Sequence, residues 1–179
     1  MMNTRKWIPV VGCVLLSRLW AAAAWAAPSL TAGTASGQPG TAVSLPIRFD
    51  PGAASVLSLQ FSLTLPPSLS TGSIAPSSLL TAAGKGVSAN RKGNTWTFII
   101  FGLNQNVISA GPLLTAQMMI APGASAGTLK VPVSSVVYAD PKGVSIPPGA
   151  AKGGAVTVLA ASPRASPPLP QASPTTKPS

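Results

Sequence analysis

The sequence predicts an all-β protein, a two-sheet β-sandwich with jelly-roll topology and about nine strands. The clearest evidence is segment 56–65, in which leucine and phenylalanine alternate with serine, threonine and glutamine. Because successive side chains of a strand point to opposite faces, this segment has one apolar face for burial and one polar face for solvent. The 20 prolines and 17 glycines fit many short strands joined by turns.

Alternation and turn signals place the predicted strands in order along the chain. In the second of them, Pro46 has no N–H to donate, so we expect it to face a sheet edge or an irregularity. The stretch 69–80 is Ser-rich, and the apolar residues expected to anchor it are Leu69, Ile74, Leu79 and Leu80. No amphipathic helix of about ten residues is predicted in the domain. The predicted strands are 29–35, 41–49, 56–65, 85–90, 95–101, 113–120, 128–138 and 155–159.

Segment 95–101 is apolar on both sides near its end, which predicts a central strand of a sheet. Lys92-Gly93-Asn94, just before it, is typical of a hairpin turn. Trp96 is the only tryptophan after residue 27. Burial in the core is the commoner fate of an aromatic ring, and stacking on a sugar is the functional alternative. The polar loop that follows this strand contains Asn104, Gln105 and Asn106.

Residues 1–27 have the order of features of a secretory signal peptide. Arg5 and Lys6 give a positive start, a largely apolar stretch interrupted by Arg18 follows, and small residues end the segment. We expect cleavage at this end, after Ala27 or at a competing site after Ala24 or Ala26. The apolar stretch is short and broken by a charge, so the mature chain is predicted to have no membrane span.

The remaining boundaries follow from composition. The β-sandwich domain is predicted over 28–160, and a disordered Pro/Ser/Thr-rich tail over 161–179. The protein is expected to be secreted, extracellular or at the cell surface, with the periplasm as an alternative. Cys13, the only cysteine, follows Val10-Val11-Gly12, which loosely resembles a bacterial lipidation box. Lipidation there is the alternative to loss with the signal peptide.

The scarcity of acids argues against catalysis. Asp50 and Asp140 are the only acidic residues, and the chain has no histidine. General acid–base catalysis and metal binding draw mainly on carboxylates, histidine and cysteine, so we predict no enzyme, no metal site and no cofactor. Both aspartates precede a proline in a turn sequence, a common structural use, and a serine triad would lack its histidine.

The basic excess of the chain is dispersed. The net charge is +10, and removal of residues 1–27 leaves nine basic and two acidic side chains. Arg91 and Lys92 form the only adjacent basic pair after residue 27. Nucleic-acid-binding proteins usually concentrate positive charge on one face or helix, so no nucleic-acid partner is predicted.

Five segments follow the order of features of the cohesin domain, which the chain resembles from residue 40 to residue 158. They are Gly40–Ile47, Leu57–Leu63, Phe101–Ile108, Gly111–Ile120 and Gly154–Val158. The resemblance implies a jelly roll, one sheet face of which binds a dockerin partner in cellulose-degrading assemblies. It places strand 56–65 in that face. The chain departs from the family after Leu65, where prolines replace an acid, and it lacks most acidic residues common at the partner interface.

We therefore predict an exported, non-catalytic binding module of cohesin type. It would contact a dockerin-like protein or a polysaccharide through an exposed sheet face, in a polysaccharide-degradation or cell-surface setting. The alternative is a structural or adhesive cell-surface subunit that assembles by strand pairing. The sequence leaves the oligomeric state open. The candidate binding residues are Ser58, Gln60, Ser62, Trp96, Asn104, Gln105 and Asn106.

Overall fold

The computed structural model of the protein describes residues 26–160. Within this range the chain is nearly all β, with one helix, α1 (Ser78–Ala82). Cys13, for which lipidation is the alternative to loss with the signal peptide, and the predicted tail 161–179 lie outside the described residues, as does the predicted signal peptide apart from Ala26 and Ala27. The strands are β1 (Ser29–Ala32), β2 (Thr34–Gly37), β3 (Ala42–Asp50), β4 (Ser58–Thr64), β5 (Leu69–Pro76), β6 (Gly86–Lys92), β7 (Thr95–Phe101), β8 (Gly111–Ile120), β9 (Gly127–Val131), β10 (Val133–Ala139), β11 (Ser145–Ile146), β12 (Ala151–Lys152) and β13 (Gly154–Val158).

These strands form two five-stranded sheets and a three-stranded extension, as predicted for a β-sandwich with jelly-roll topology. The front sheet has the order β11-β10-β4-β7-β6, and the back sheet has the order β12-β1-β3-β8-β5. The side sheet has the order β2-β13-β9. One residue separates β1 from β2 and one separates β12 from β13, so the chain passes twice between the back sheet and the side sheet. Within these three sheets the β1–β12 and β2–β13 pairs are parallel, and the other pairs are antiparallel.

The core lies between the front and back sheets, and β4 supplies its centre. Leu59, Phe61 and Leu63 are buried on one face of β4, which confirms the predicted leucine face. The ring of Phe61 stacks on that of Phe98 in β7, with centroids 4.9 Å apart. Burial of each such side chain stabilises the fold by about 1.5–3 kcal/mol. The alternation of β4 therefore fixes which of its side chains face solvent.

The structure has more strands than predicted for two reasons. Gly33 and Pro132 each split a predicted strand, and β5, β11 and β12 form where no strand was predicted. Predicted strand 29–35 breaks at Gly33, where the backbone lies against Pro46 of β3. A Cβ atom at Gly33 would lie 2.8 Å from Cγ of Pro46, so this close approach requires glycine. The Gly33 N–H donates to the Pro46 carbonyl over 2.8 Å, so Gly33 and Pro46 lie opposite each other. The nitrogen of Pro46, which has no hydrogen to donate, therefore faces the break between β1 and β2. The predicted irregularity at Pro46 is thereby confirmed.

The prediction of one continuous strand over 128–138 is wrong. Pro132 separates β9, in the side sheet, from β10, in the front sheet. Proline cannot donate to a ladder, so the chain changes sheets at this point. Gly153 separates β12 from β13 in the same way, between the back and side sheets.

The β6–β7 hairpin and the central position of β7 are as predicted. Gly93 and Asn94 form the two-residue turn, Lys92 and Thr95 close it, and Gly93 has φ of 61°. Glycine tolerates this left-handed conformation, which two-residue hairpin turns require. β7 lies between β4 and β6 in the front sheet. In the described part of the chain, no helix has the length and apolar character needed to cross a membrane.

Candidate binding face

The outward side of the front sheet, here called the front face, contains the predicted polar residues of β4. Gln60 and Ser58 are partly exposed there, whereas Ser62 is only 4% exposed. The Ser62 hydroxyl forms a hydrogen bond of 3.0 Å with that of Thr97 in β7. Two residues further along the same pair of strands, the hydroxyls of Thr64 and Thr95 lie 3.4 Å apart. These cross-strand hydroxyl pairs satisfy each other and stabilise the sheet.

Three apolar side chains lie at the other end of the front face. Val137 in β10 and Ile99 in β7 both pair with Gln60, so the three residues form a row across the sheet. Phe101 follows on the outward side of β7. The exposed fractions of Ile99, Phe101 and Val137 are 41%, 48% and 47%. We call these three residues the apolar patch.

A shallow cavity of about 220 Å³ lies over the apolar patch. Its walls combine aliphatic and aromatic side chains with the amide of Gln60 and the hydroxyl of Ser58. Such a mixture of exposed apolar area with a few polar groups is the usual composition of a site that binds another molecule. The lining residues are Ser58, Leu59, Gln60, Ile99, Phe101, Val137 and Ala139.

A bulge in β10 brings Val137 to the front face. Ser134 pairs with Ser62 and Val137 pairs with Gln60, so two residues of β10 oppose one residue of β4. Ser135 has φ of 51°, the one left-handed residue other than glycine within 26–160. Without the extra residue, Val136 would point outward and Val137 inward, because side chains alternate along a strand. The bulge also turns Tyr138 into the core, where burial raises the pKa of its phenol to about 12.

The loop after β7 is held to the end of α1 by the predicted asparagines. Asn104 Nδ2 donates to the carbonyls of Ala83 and Gly84, over 3.0 and 3.1 Å. Its Oδ1 accepts from the backbone N–H of Asn106, whose own side chain donates to Ala83 O over 3.2 Å. The Lys85 ammonium donates to the Asn104 carbonyl over 3.3 Å. Burial lowers the pKa of that ammonium.

The same loop therefore has an anchored side and an exposed side. Asn104 and Asn106 use their amides within the protein, while Gln105 is exposed. Leu103 and Val107 are exposed to 105% and 42%, close in sequence to Phe101 of the apolar patch. The internal hydrogen bonds fix the course of a loop that presents apolar side chains next to the front face.

Trp96 points to the inner side of the front sheet. It pairs with Leu63, which is buried, and it is itself packed against the core while remaining partly exposed. Its ring stacks with that of Phe98 at 6.4 Å, and the guanidinium carbon of Arg91 lies 5.9 Å from its centroid. The structure thus separates Trp96 from the other predicted binding residues of the front sheet.

Sequence reasoning missed the apolar patch. Ile99 and Phe101 alternate out of phase with the buried Phe98 and Ile100, and apolar residues on both sides predict only that this strand is central in its sheet. In the structure one of those two apolar rows faces solvent. The sequence contained an indication of the patch. Ile99 and Phe101 lie on the same side of β7 as Thr95 and Thr97, whose hydroxyls are typical of a solvent-facing side.

Both aspartates of the chain accept hydrogen bonds from nearby backbone N–H groups. Asp50 Oδ1 accepts from the backbone N–H of Gly52, and Asp140 Oδ1 accepts from those of Lys142 and Val144, as expected for turn aspartates. Between residues 26 and 160 there is no group of three or more acidic, histidine or cysteine side chains able to hold a metal ion.

Comparisons with known proteins agree on one family. A family model for the cohesin domain matches residues 28–158. No curated protein sequence matches the chain. A non-cellulosomal cohesin from the hyperthermophilic archaeon Archaeoglobus fulgidus has a similar structure, with a TM-score of 0.65, 19% identity, and coverage of 75% of this chain and 93% of that chain.

Two clostridial structures are similarly close. CaCohA2 from Clostridium acetobutylicum gives a TM-score of 0.65 at 20% identity, over 76% of this chain and 93% of that chain. A chain of the Coh-OlpA-Doc918 complex from Clostridium thermocellum, a type I cohesin–dockerin complex, gives 0.66 at 14% identity, over 75% of this chain and 100% of that chain. At these identities the likeness shows a shared fold.

Proposed function

The chain belongs to the cohesin family, and we propose that it is an exported, non-catalytic binding module that contacts a dockerin-like protein through its front face. Cohesin domains are non-catalytic binding modules, and among the solved relatives Coh-OlpA is in a complex with a dockerin. The Archaeoglobus relative is described as non-cellulosomal, so family membership alone does not fix the assembly in which a cohesin works.

The apolar patch is the observation that carries this proposal. Ile99, Phe101 and Val137 lie side by side around Gln60, and each is more than two-fifths exposed. By contrast, the outward side of the back sheet exposes a single large hydrophobic residue within the described range, Met119. Exposed apolar side chains that cluster, with polar residues around them, mark a site of interaction with another molecule.

The composition of the patch favours a protein over a polysaccharide. Sugars are commonly held by stacking on exposed aromatic rings, and Phe101 is the only large exposed aromatic side chain within the described range. Trp96, the other candidate ring, lies on the inner side of β7. Val137 and Ile99 instead suit the apolar side chains of a folded partner, with Gln60 and Ser58 able to donate and accept hydrogen bonds at their margin.

Two further observations support the non-catalytic and the exported parts of the proposal. Two aspartates that serve turns, and no histidine, leave no pair of groups for acid–base chemistry. Residues 1–27 would direct the chain out of the cytoplasm as a signal peptide, so the module would act as a secreted or cell-surface protein.

Nuclear magnetic resonance titration tests the proposal. The ¹⁵N-labelled protein is mixed separately with a panel of dockerin domains and with soluble cellulose and xylan fragments. We expect at least one dockerin to shift the amide signals of Gln60, Ile99, Phe101 and Val137 while those of Ser44, Gln117 and Met119 on the back sheet stay in place. Shifts confined to the back sheet, or shifts produced by glycans alone, would contradict the proposal.

A gel-retardation assay with embedded polysaccharide examines the sugar alternative separately. The wild-type protein and Trp96→Ala are compared with Phe101→Ala as the front-face control. If sugar stacking on the indole is part of the function, retardation is lost in Trp96→Ala. Our proposal expects no retardation of any of the three proteins.

A further inference from the structure

The outer edge of the front sheet, formed by β6, is long and regular. β6 pairs with β7 at all seven of its positions without a bulge. No other strand of the described chain pairs with its opposite side. All its residues except Val87 are exposed. A strand of this kind presents a row of unpaired backbone N–H and C=O groups that another strand can pair with.

The other edges of the described sheets are interrupted or short. β5, at the edge of the back sheet, has an irregular register between Thr71 and Ile74 and ends at Pro76. β9, at the edge of the side sheet, has five residues and is followed by Pro132. β2, the other edge of the side sheet, has four residues, and β11 and β12 have two residues each. Bulges, prolines and short strands protect the other edges. β6 has none of these, and its only edge charges are Arg91 and Lys92 at its C-terminal end.

The hairpin geometry identifies which backbone groups of β6 are available. Lys92 and Thr95 close a two-residue turn, and the closing pair of such a turn exchanges both of its hydrogen bonds. Pairs then alternate along an antiparallel ladder, so Asn90 and Ser88 also bond to β7. The N–H and C=O groups of Val87, Ala89 and Arg91 therefore point away from the sheet.

The charge of this edge selects its occupant. Arg91 and Lys92 are adjacent at the hairpin end and point to opposite faces of the strand. Arg91 lies over Trp96, and its Nε–H donates to Gly93 O over 2.8 Å. Asp50 is the last residue of β3 and Asp140 follows β10, so neither aspartate of the chain is on β6. A second copy of this chain would bring the same two cations and a positive net charge of its own, +10 in full or +7 without residues 1–27. Charge complementarity thus favours an acidic strand from another protein.

We propose that β6 accepts an extended, acidic segment of a partner protein as an added antiparallel strand. Antiparallel addition continues the β6–β7 pattern and puts the N-terminal end of the added segment beside Arg91 and Lys92. Carboxylates are therefore expected at that end of the segment. This contact uses the edge of the front sheet and does not depend on the apolar patch.

The probe is a fluorescent eight-residue peptide that alternates valine and threonine and begins with two glutamates. Its matched control has the same composition with the glutamates at the C-terminal end. We expect the first peptide to bind about tenfold more tightly, with affinity falling as salt is raised, because only its carboxylates lie beside the two cations. Equal binding of the two peptides, or no binding of either, would overturn the proposal.

Residue-resolved hydrogen exchange locates the contact. On saturation with the first peptide, exchange of the amides of Val87, Ala89 and Arg91 should slow at least about tenfold, since these groups gain hydrogen-bond partners. Those of Ser88 and Asn90, already bonded to β7, should change little. Protection elsewhere with no change at the three outward amides would overturn strand addition.

A pair of variants at one position completes the test. Ala89→Pro removes an outward N–H that β7 does not use, whereas Ala89→Val keeps it. Peptide binding should be lost in Ala89→Pro and kept in Ala89→Val, with both proteins retaining the wild-type circular dichroism spectrum. Should Ala89→Pro fail to fold, the exchange pattern of the wild type decides alone. Sedimentation showing that β6 mediates a dimer of this chain would also overturn the proposal.

Discussion

The front face and the back face of the sandwich share one construction and expose different side chains. On each, a polar pair links neighbouring strands, Ser62 with Thr97 in front and Ser44 with Gln117 behind. The back face adds only Met119 as a large exposed hydrophobic residue among the described residues, whereas the front face adds the apolar patch. The solvent-facing side of an antiparallel sheet is usually polar. Three neighbouring apolar side chains exposed on one such side therefore indicate a surface that contacts another molecule.

Substitution of the two adjacent isoleucines of β7 should give the largest difference. Ile100 is fully buried and Ile99 is 41% exposed. Ile100→Thr removes core contacts and buries a hydroxyl, so we expect the free energy of unfolding to fall by about 3 kcal/mol or more. Ile99→Thr keeps a β-branched residue on the surface, and the expected loss is less than about 1 kcal/mol.

Urea denaturation of the two variants measures this difference. Similar losses of stability would mean that Ile99 serves the fold as much as Ile100 does. The contrast between the two outer faces would then lose its functional meaning.

The bulge at Ser135 offers a smaller test of how the patch is built. Its φ of 51° is left-handed, and a β-branched side chain is strained there while glycine is not. Ser135→Val should be about 1–2 kcal/mol less stable than Ser135→Gly. Thermal unfolding of the two variants gives the measurement. Equal stability would mean that the bulge does not hold Val137 in place as described.

Much of the fold follows from local patterns in the sequence. The alternation around Phe61 specifies β4 and its buried face, and the Gly93-Asn94 turn specifies the β6–β7 hairpin. The change of sheet at Pro132 was missed because alternation continues through the proline, and only the tertiary partners of each half differ. The bulge at Ser135 was equally hidden, since nothing in Ser134-Ser135-Val136 marks a left-handed residue.

The site was predictable only in part, for a related reason. Ser58 and Gln60 lie on the front face as their alternation implied. Their apolar neighbours come from β7 and β10, and neighbours across strands depend on register, which a single segment does not contain. Asn104 and Asn106 were grouped with the face because the loop is polar, yet their amides bond to the end of α1. A polar loop residue can serve a ligand or a neighbouring carbonyl, and the sequence does not distinguish the two.

The affinity of a bound dockerin domain for matched variants of the two faces tests the central claim most directly. Isothermal titration compares the double variant Phe101→Ser and Val137→Ser with Met119→Ser. Loss of large apolar contacts at the centre of an interface typically costs about 2 kcal/mol or more, so the front-face variant should bind at least about thirtyfold more weakly. Met119→Ser should bind as the wild type does. Equal affinity of both variants and the wild type would contradict a binding role for the front face.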